Sequence, residues 1–295
     1  MQIPFHLVDV FADQPLTGNP LAVVPQADEL NDSTMQSIAR ELGQAETTFL
    51  VAPTRTSADW RLRSFTAGGV EVFGAGHNSL GAWWWLAESG LLPLAEGETD
   101  FTQEIGDRLL PVGIEYRDRR LQSVIMTQES PVFGKTCEDL SALAVALGLN
   151  ERDLARLPAQ AVSTGVSHLL VPVKNRAAIE RANPNAPQLV KVLADASAEG
   201  CYLFSLDPVS PLAVAHARFF NPAVGLFEDS ATGTAAGPLA CQLIALGLAK
   251  EDTTISIEQG YEMGRPSLLR VHVRGDSVRL SGRCVKVADG ALRVR

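Results

Sequence analysis

Charge is scarce in this chain of 295 residues, and the places where it is missing are informative. Residues 230–249 contain no Asp, Glu, Lys, Arg or His, and residues 72–86 contain only His77. On charge alone the first run is nearly long enough to cross a membrane. Its opening, Ser230-Ala231-Thr232-Gly233-Thr234-Ala235-Ala236-Gly237-Pro238, is too small, polar and Gly/Pro-punctuated for that, and the second run is shorter still. Each is read as a helix buried on all sides. Basic residues are also few: 25 Lys and Arg against 34 Asp and Glu give a formal net charge of -9. That balance argues against nucleic acid and anionic membrane as partners. The four cysteines, Cys137, Cys201, Cys241 and Cys284, lack CxxC spacing. They read as buried thiols in a reducing, cytoplasmic compartment, not as a disulfide or zinc framework. The first residues lack a basic start followed by a sustained apolar core, so no signal peptide is expected.

Several motifs are absent too. There is no GxxxxGK[ST], no HExxH and no His/Cys pair at metal spacing, so no metal is expected. Gly74, Gly76 and Gly81 do not form GxGxxG, and no acidic residue ends a second strand about 20 residues on. Nicotinamide and flavin cofactors are therefore not expected.

What is present is a globular composition, 46% hydrophobic and 20% charged, at a length that suggests two domains. Residues 5–10, 21–24, 47–51 and 60–65 read as strands, and residues 35–43 as a helix stopped by Gly43. Residues 80–87 form the first uncharged helix, ended by Gly90. The order recurs. Residues 167–173, 201–205 and 213–220 read as strands, residues 189–196 as a helix, and residues 235–246 as the second uncharged helix, ended by Gly247. Ala45-Glu46-Thr47-Thr48-Phe49-Leu50 parallels Ala198-Glu199-Gly200-Cys201-Tyr202-Leu203. Two similarly built halves follow, each a sheet wrapped around one helix, in an α+β fold without long βαβ alternation.

Both uncharged helices begin after a polar, glycine-containing segment, Gly74-Ala75-Gly76-His77-Asn78-Ser79 and Glu228-Asp229-Ser230-Ala231-Thr232-Gly233-Thr234. Such helix starts can bind an anion such as a carboxylate. Simple N-capping by Asn78, Ser79, Ser230 and Thr232 explains the same residues, so both readings stand. His77 titrates near neutrality if unperturbed, which suits proton transfer, although a lone His is commonly structural. Asp229 is either a helix-dipole carboxylate or a functional one. Glu46 opens an apolar strand; it is an exposed turn residue, or a carboxylate at the mouth of an apolar pocket that carries protons.

At these residues the chain resembles the phenazine-biosynthesis isomerase (PhzF-like) family, whose fold is that of diaminopimelate epimerase. The resemblance runs through Val8-Asp9-Val10-Phe11, Gly18-Asn19-Pro20-Leu21-Ala22-Val23-Val24, Glu46-Thr47-Thr48-Phe49, Gly76-His77, and Thr164-Gly165 with His168-Leu169-Leu170-Val171-Pro172. It ends most specifically at residues 228–238. It implies two pseudo-symmetric domains, each a mostly antiparallel barrel-like sheet around a central helix: residues 1–119 joined by 281–295, and residues 120–280. It implies a substrate in the cleft between them, a homodimer, and proton transfer without cofactor or metal. By resemblance Glu46 moves the proton, His77 and Asp229 flank the substrate, and Gly233-Thr234 hold its carboxylate, paired across the repeat with Gly76-His77. Ser230 stands where the family has Pro, Thr234 where it has Ser, and Asn78-Ser79 where it has Pro or Ala and Thr. Residues 65–72 lack the family's prolines and run one residue longer. These departures bear on which substrate fits more than on reaction type.

The expected function is a cofactor-independent isomerase of a small carboxylic acid. Two other readings are carried forward. A two-base thiol epimerase needs a cysteine at each helix start, where Ala75 and Thr232 stand. A non-catalytic small-molecule or protein-binding member would keep the fold and lose the chemistry.

Overall fold

A computed structural model describes residues 1–294. Contacts divide the chain into two compact units: the first holds Met1–Met126 and the chain from Ser281 onward, the second Thr127–Leu280.

The chain opens with β1 (Gln2–Val10) and β2 (Asn19–Val24), joined by a turn in which Gly18 has φ +65°. A Cβ there would collide with the Val10 carbonyl oxygen, so the turn requires glycine. Helix α1 (Asp32–Leu42) is capped by Asn31, whose side chain accepts from the Thr34 amide, and ends at Gly43 in the left-handed region. It buries Met35, Ile38 and Ala39 against Phe49, Val51 and Phe65. Then come β3 (Glu46–Val51), β4 (Trp60–Thr66), β5 (Glu71–Val72), α2 (His77–Glu88), β6 (Gly97–Ile105), β7 (Arg108–Arg117) and β8 (Arg120–Gln128). In α2 every residue from Asn78 to Ala87 is buried, as its lack of charge implies.

The second unit continues with β9 (Val132–Thr136), α3 (Leu140–Ala146), β10 (Gln160–Ser163), β11 (Ser167–Pro172), α4 (Arg176–Arg181), α5 (Ala186–Asp195), β12 (Gly200–Ser205), β13 (Ala215–Asn221), β14 (Leu226–Asp229), α6 (Gly233–Ala245), β15 (Thr254–Gln259), β16 (Ser267–Arg274) and β17 (Ser277–Gly282). The last strand, β18 (Cys284–Arg293), belongs to the first unit, antiparallel to β1. Helix α6 is also buried, at Gly233 and from Ala235 to Leu243.

The two units repeat one strand order. In the first it is β18-β1-β2-β3-β4-β6-β7, with β5 also on β4. In the second it is β9-β10-β11-β12-β13-β15-β16, with β14 also on β13. Both are antiparallel except at two equivalent places: β2–β3 and β4–β6, and β11–β12 and β13–β15. This is the expected α+β class, with two similarly built halves and one buried helix in each.

Strand register refines the repeat. Glu46 pairs with Leu21, and its equivalent, Gly200, pairs with His168. The sequence match that sets Glu46 against Glu199 is therefore one residue out of step. The helices agree: α2 starts after Gly76 and α6 after Thr232, so Gly76-His77 corresponds to Thr232-Gly233, not to Gly233-Thr234. Gly81 and Gly237 occupy equivalent places where a Cβ would strike the neighbouring strands, Val10 and Leu21 in one unit and Gln128 and Thr164 in the other. The glycines let each helix lie close against its sheet.

Candidate active site

In the first unit, the αL stop at Gly43 turns the chain so that Glu46 becomes the first residue of β3, opposite Thr66 on β4. His77 is the first residue of α2. Its Nε2 lies 3.9 Å from Glu46 Oε2, too long for a hydrogen bond but within ion-pair reach. Both side chains are mostly buried, with exposures of 13% and 18%.

Burial pushes the His77 imidazole down to about 4. The expectation that it titrates near neutrality is thus corrected. At pH 7 the ring is neutral, and it offers one donor and one acceptor rather than a charge. The ring does not form a charged pair with Glu46 at that pH.

Asn78 and Ser79 do not cap α2. Asn78 Oδ1 accepts from the Gly76 amide at 2.7 Å, while Nδ2 donates to Ser64 Oγ and to the Gly74 carbonyl, each at 3.0 Å. Ser79 donates to Gln103 Oε1, which also accepts from Trp83 Nε1. These bonds fold the glycine-containing segment into one shape and fix where His77 emerges. The N-cap residue, Gly76, has no side chain to block the helix start. The longer segment after β4 is tied down by Arg40, whose Nε donates to the Gly68 carbonyl at 3.2 Å.

In the second unit, β14 ends at Asp229, opposite Phe219 on β13, and α6 follows within four residues. Arg218 fixes the hairpin: Nε and Nη2 donate to the two Glu228 oxygens, each at 2.8 Å. Thr232, the N-cap residue, makes no side-chain cap. Its hydroxyl donates instead to Asp229 Oδ2 at 2.6 Å. Gln259, fully buried at the end of β15, sets that direction. Its Nε2 donates to Thr232 Oγ1 at 3.0 Å and to the Asp229 carbonyl at 2.7 Å. Its Oε1 accepts from the Thr232 amide at 3.1 Å and from the Tyr202 hydroxyl at 3.0 Å. With its oxygen already accepting from Gln259, the threonine proton points at Asp229. Gln128 Nε2 donates to the Gly233 carbonyl at 2.9 Å, and Thr234 Oγ1 lies 3.0 Å from His168 Nε2.

Glu46, Gly76 and His77 thus come together in the first unit, and Asp229, Gly233 and Thr234 in the second. The capping alternative fails for Asn78, Ser79 and Thr232, whose side chains bond elsewhere. Sequence reasoning missed Gln128, His168, Tyr202 and Gln259 as parts of this framework. His168 lay within a stretch carrying the family resemblance; the other three carried no signal, because their partners are far away in sequence.

Of the four cysteines, Cys201, Cys241 and Cys284 are buried, and Cys137 is half-buried. Cys241 lies in the body of α6, and burial raises its thiol to about 11. Among the described residues no group of His, Cys, Asp and Glu has the geometry to hold a metal. No helix among them is long and apolar enough to cross a membrane.

Comparison with known proteins identifies the relatives. Residues 8–290 match the family described as phenazine biosynthesis-like protein. The chain belongs to this family. An uncharacterised isomerase of Clostridium acetobutylicum is 32% identical over 97% of each chain. The trans-2,3-dihydro-3-hydroxyanthranilate isomerase of Pseudomonas aeruginosa is 32% identical over 97% of this chain and 98% of its own. A crystal structure of a PhzF-family phenazine biosynthesis protein from Bacillus anthracis superposes with a TM-score of 0.90, at 30% identity over 100% of both chains. The fold extends to a hydroxyproline epimerase of Agrobacterium vitis, at a TM-score of 0.63 and 13% identity, covering 99% of this chain and 91% of that one.

Proposed function

We propose that the protein is a cofactor-independent isomerase that moves a proton between two atoms of a small carboxylate-bearing metabolite, with Glu46 as the acid/base group. The observation that carries this reading is the Glu46–His77 pair at the start of α2, in a chain whose family includes named isomerases. A carboxylate that removes a proton from one position and returns it at another needs no second base. Neutral His77 orients or polarises a substrate group by one hydrogen bond, without holding Glu46 in a fixed ion pair. Asp229, Gly233 and Thr234 are proposed to bind polar groups of the substrate, the carboxylate among them, and Gly76 to leave room beside His77. A homodimer and a cytoplasmic location complete the proposal.

The thiol-epimerase alternative is disfavoured at both helix starts. The register places Gly76 and Thr232 there, and Cys241 sits well inside α6 with its thiol raised by burial. The non-catalytic reading is separated by experiment. Trans-2,3-dihydro-3-hydroxyanthranilate, the compound named for the Pseudomonas relative, is the first probe, followed by other small unsaturated carboxylic acids. In deuterium oxide the protein is expected to place deuterium at carbon in the product of its own substrate. Tight binding of a metabolite with neither exchange nor product would favour the non-catalytic reading.

A further inference from the structure

His168, beside Thr234 in the second unit, has unusual surroundings. It is the second residue of β11, 2% exposed. Its ring meets the edge of Phe219, with centroids 5.0 Å apart and planes at 90°. Gly200 lies beside both rings: a Cβ there would collide with Phe219 and come within 3.3 Å of His168 Nδ1. Nε2 points at Thr234 Oγ1, 3.0 Å away, and Nδ1 has no hydrogen-bond partner among the described residues.

That arrangement selects one tautomer. Burial without a carboxylate partner pushes the ring down to about 4, so it is neutral at pH 7. A neutral ring has its proton on one nitrogen only. With the proton on Nδ1, a buried N–H would have no acceptor. With the proton on Nε2, only a lone pair at Nδ1 goes unused. An orphaned buried donor is the rarer and costlier defect. The proton therefore sits on Nε2 and is donated to Thr234 Oγ1. With its oxygen already accepting, the threonine hydroxyl has its own proton to donate elsewhere.

We propose that His168 is a positioning residue: by donating Nε2–H to Thr234 it turns the threonine hydroxyl into a committed donor for an anionic oxygen of the substrate, a carboxylate. The inference rests on the reading of Thr234 as a substrate-binding residue. It also accounts for a buried polar ring on a strand where the equivalent residue of the first unit is Leu21.

Two readouts test it on the full-length protein. The first needs no substrate. In a long-range proton–nitrogen NMR spectrum of histidine-labelled protein, His168 is assigned by its loss in His168→Gln. Neutral His168 with the proton on Nε2 at pH 7 is expected; a proton on Nδ1, or a cationic ring, overturns the proposal. The second readout is kinetic, with trans-2,3-dihydro-3-hydroxyanthranilate as the probe. His168→Leu and Thr234→Val are each expected to raise KM roughly ten-fold, with little change in kcat and no further rise in the double variant. In His168→Gln the amide replaces the Nε2 donor and should restore most of the affinity. A normal KM in folded His168→Leu, alongside a raised one in Thr234→Val, overturns the role of His168 and leaves the site reading intact. A normal KM in both removes Thr234 from the site, and the proposal with it.

Discussion

In the first unit Arg63 grips both oxygens of Glu71 on the next strand and lies over the Phe65 ring, 5.3 Å from its centroid. In the second, Arg218 grips both oxygens of Glu228 and lies over Phe220 at 4.9 Å. The same kinship joins two buried carboxylates. Glu104 accepts from the amides of Thr54 and Arg55, with Arg61 Nε at 3.5 Å. Glu258 accepts from the amides of Val209 and Ser210, with His216 Nδ1 at 2.6 Å. Arg61 faces Glu104 in the parallel β4–β6 pair as His216 faces Glu258 in β13–β15. The devices that hold the strands are shared. The residues at the proposed site are not. Where the first unit has Glu46, the second has Gly200, with no space for a side chain. The comparison teaches that the repeat preserves the scaffold, while the proposed acid/base group occurs in one unit only.

Breaking the two arginine forks should separate the units most strongly. Arg218 is 8% exposed and its Nη1 also satisfies the Ile179 and Ala182 carbonyls. Arg218→Met leaves Glu228 and two carbonyls unpaired and is expected to lower unfolding free energy by about 3–5 kcal/mol. Arg63 is 17% exposed, and its partners Glu71 and Asp32 are 25% and 72% exposed, so water can replace it. Arg63→Met should cost about 1 kcal/mol. Urea unfolding of both variants measures the gap, and equal losses would count against the burial argument.

The next contrast is titration. Burial opposes a charge on His216, but hydrogen bonds to Glu258 and Glu262 outweigh it and raise the ring to about 9. A raised folded-state value means the stabilisation is complete below the unfolded value of about 6.5 and is lost as pH rises through about 9. The loss amounts to roughly 3 kcal/mol. Melting temperature should therefore fall between pH 6.5 and 9.5 in the native protein, with a flatter profile in His216→Gln.

A smaller effect concerns the reaction. With His77 near 4, the rate profile should show no limb from His77 between pH 5 and 9. A depressed histidine also takes stability away as pH falls from about 6.5 towards 4, because the unfolded chain binds the proton first. A limb near pH 6.5 that disappears in His77→Asn would show that the ring is charged in the working enzyme.

Much of this architecture was legible in the sequence. The two uncharged runs could only be buried helices, because burial on all sides excludes charge from every face. Gly43 and Asn31 marked the ends of α1 through plain capping chemistry. The hairpin strands β6 to β8 went unread, since their half-exposed faces mix charge with apolar residues and lack clean alternation. Short helices α3 and α4 were missed for want of length. The repeat was found one residue out of step because register is set by strand pairing, which the Ala45-Glu46 match does not contain. The polar framework was the least legible part: Gln259 meets Asp229, Thr232 and Tyr202 only through the fold.

Among all these contrasts, the assignment of the proton-moving group to the first unit is tested most directly by Glu46→Gln. The native protein and the variant are compared for deuterium incorporation from solvent into the identified substrate, with circular dichroism and melting temperature confirming that the variant folds. The account predicts that exchange falls by about 10²–10⁴-fold or disappears while the fold is retained. Undiminished exchange in folded Glu46→Gln would contradict it.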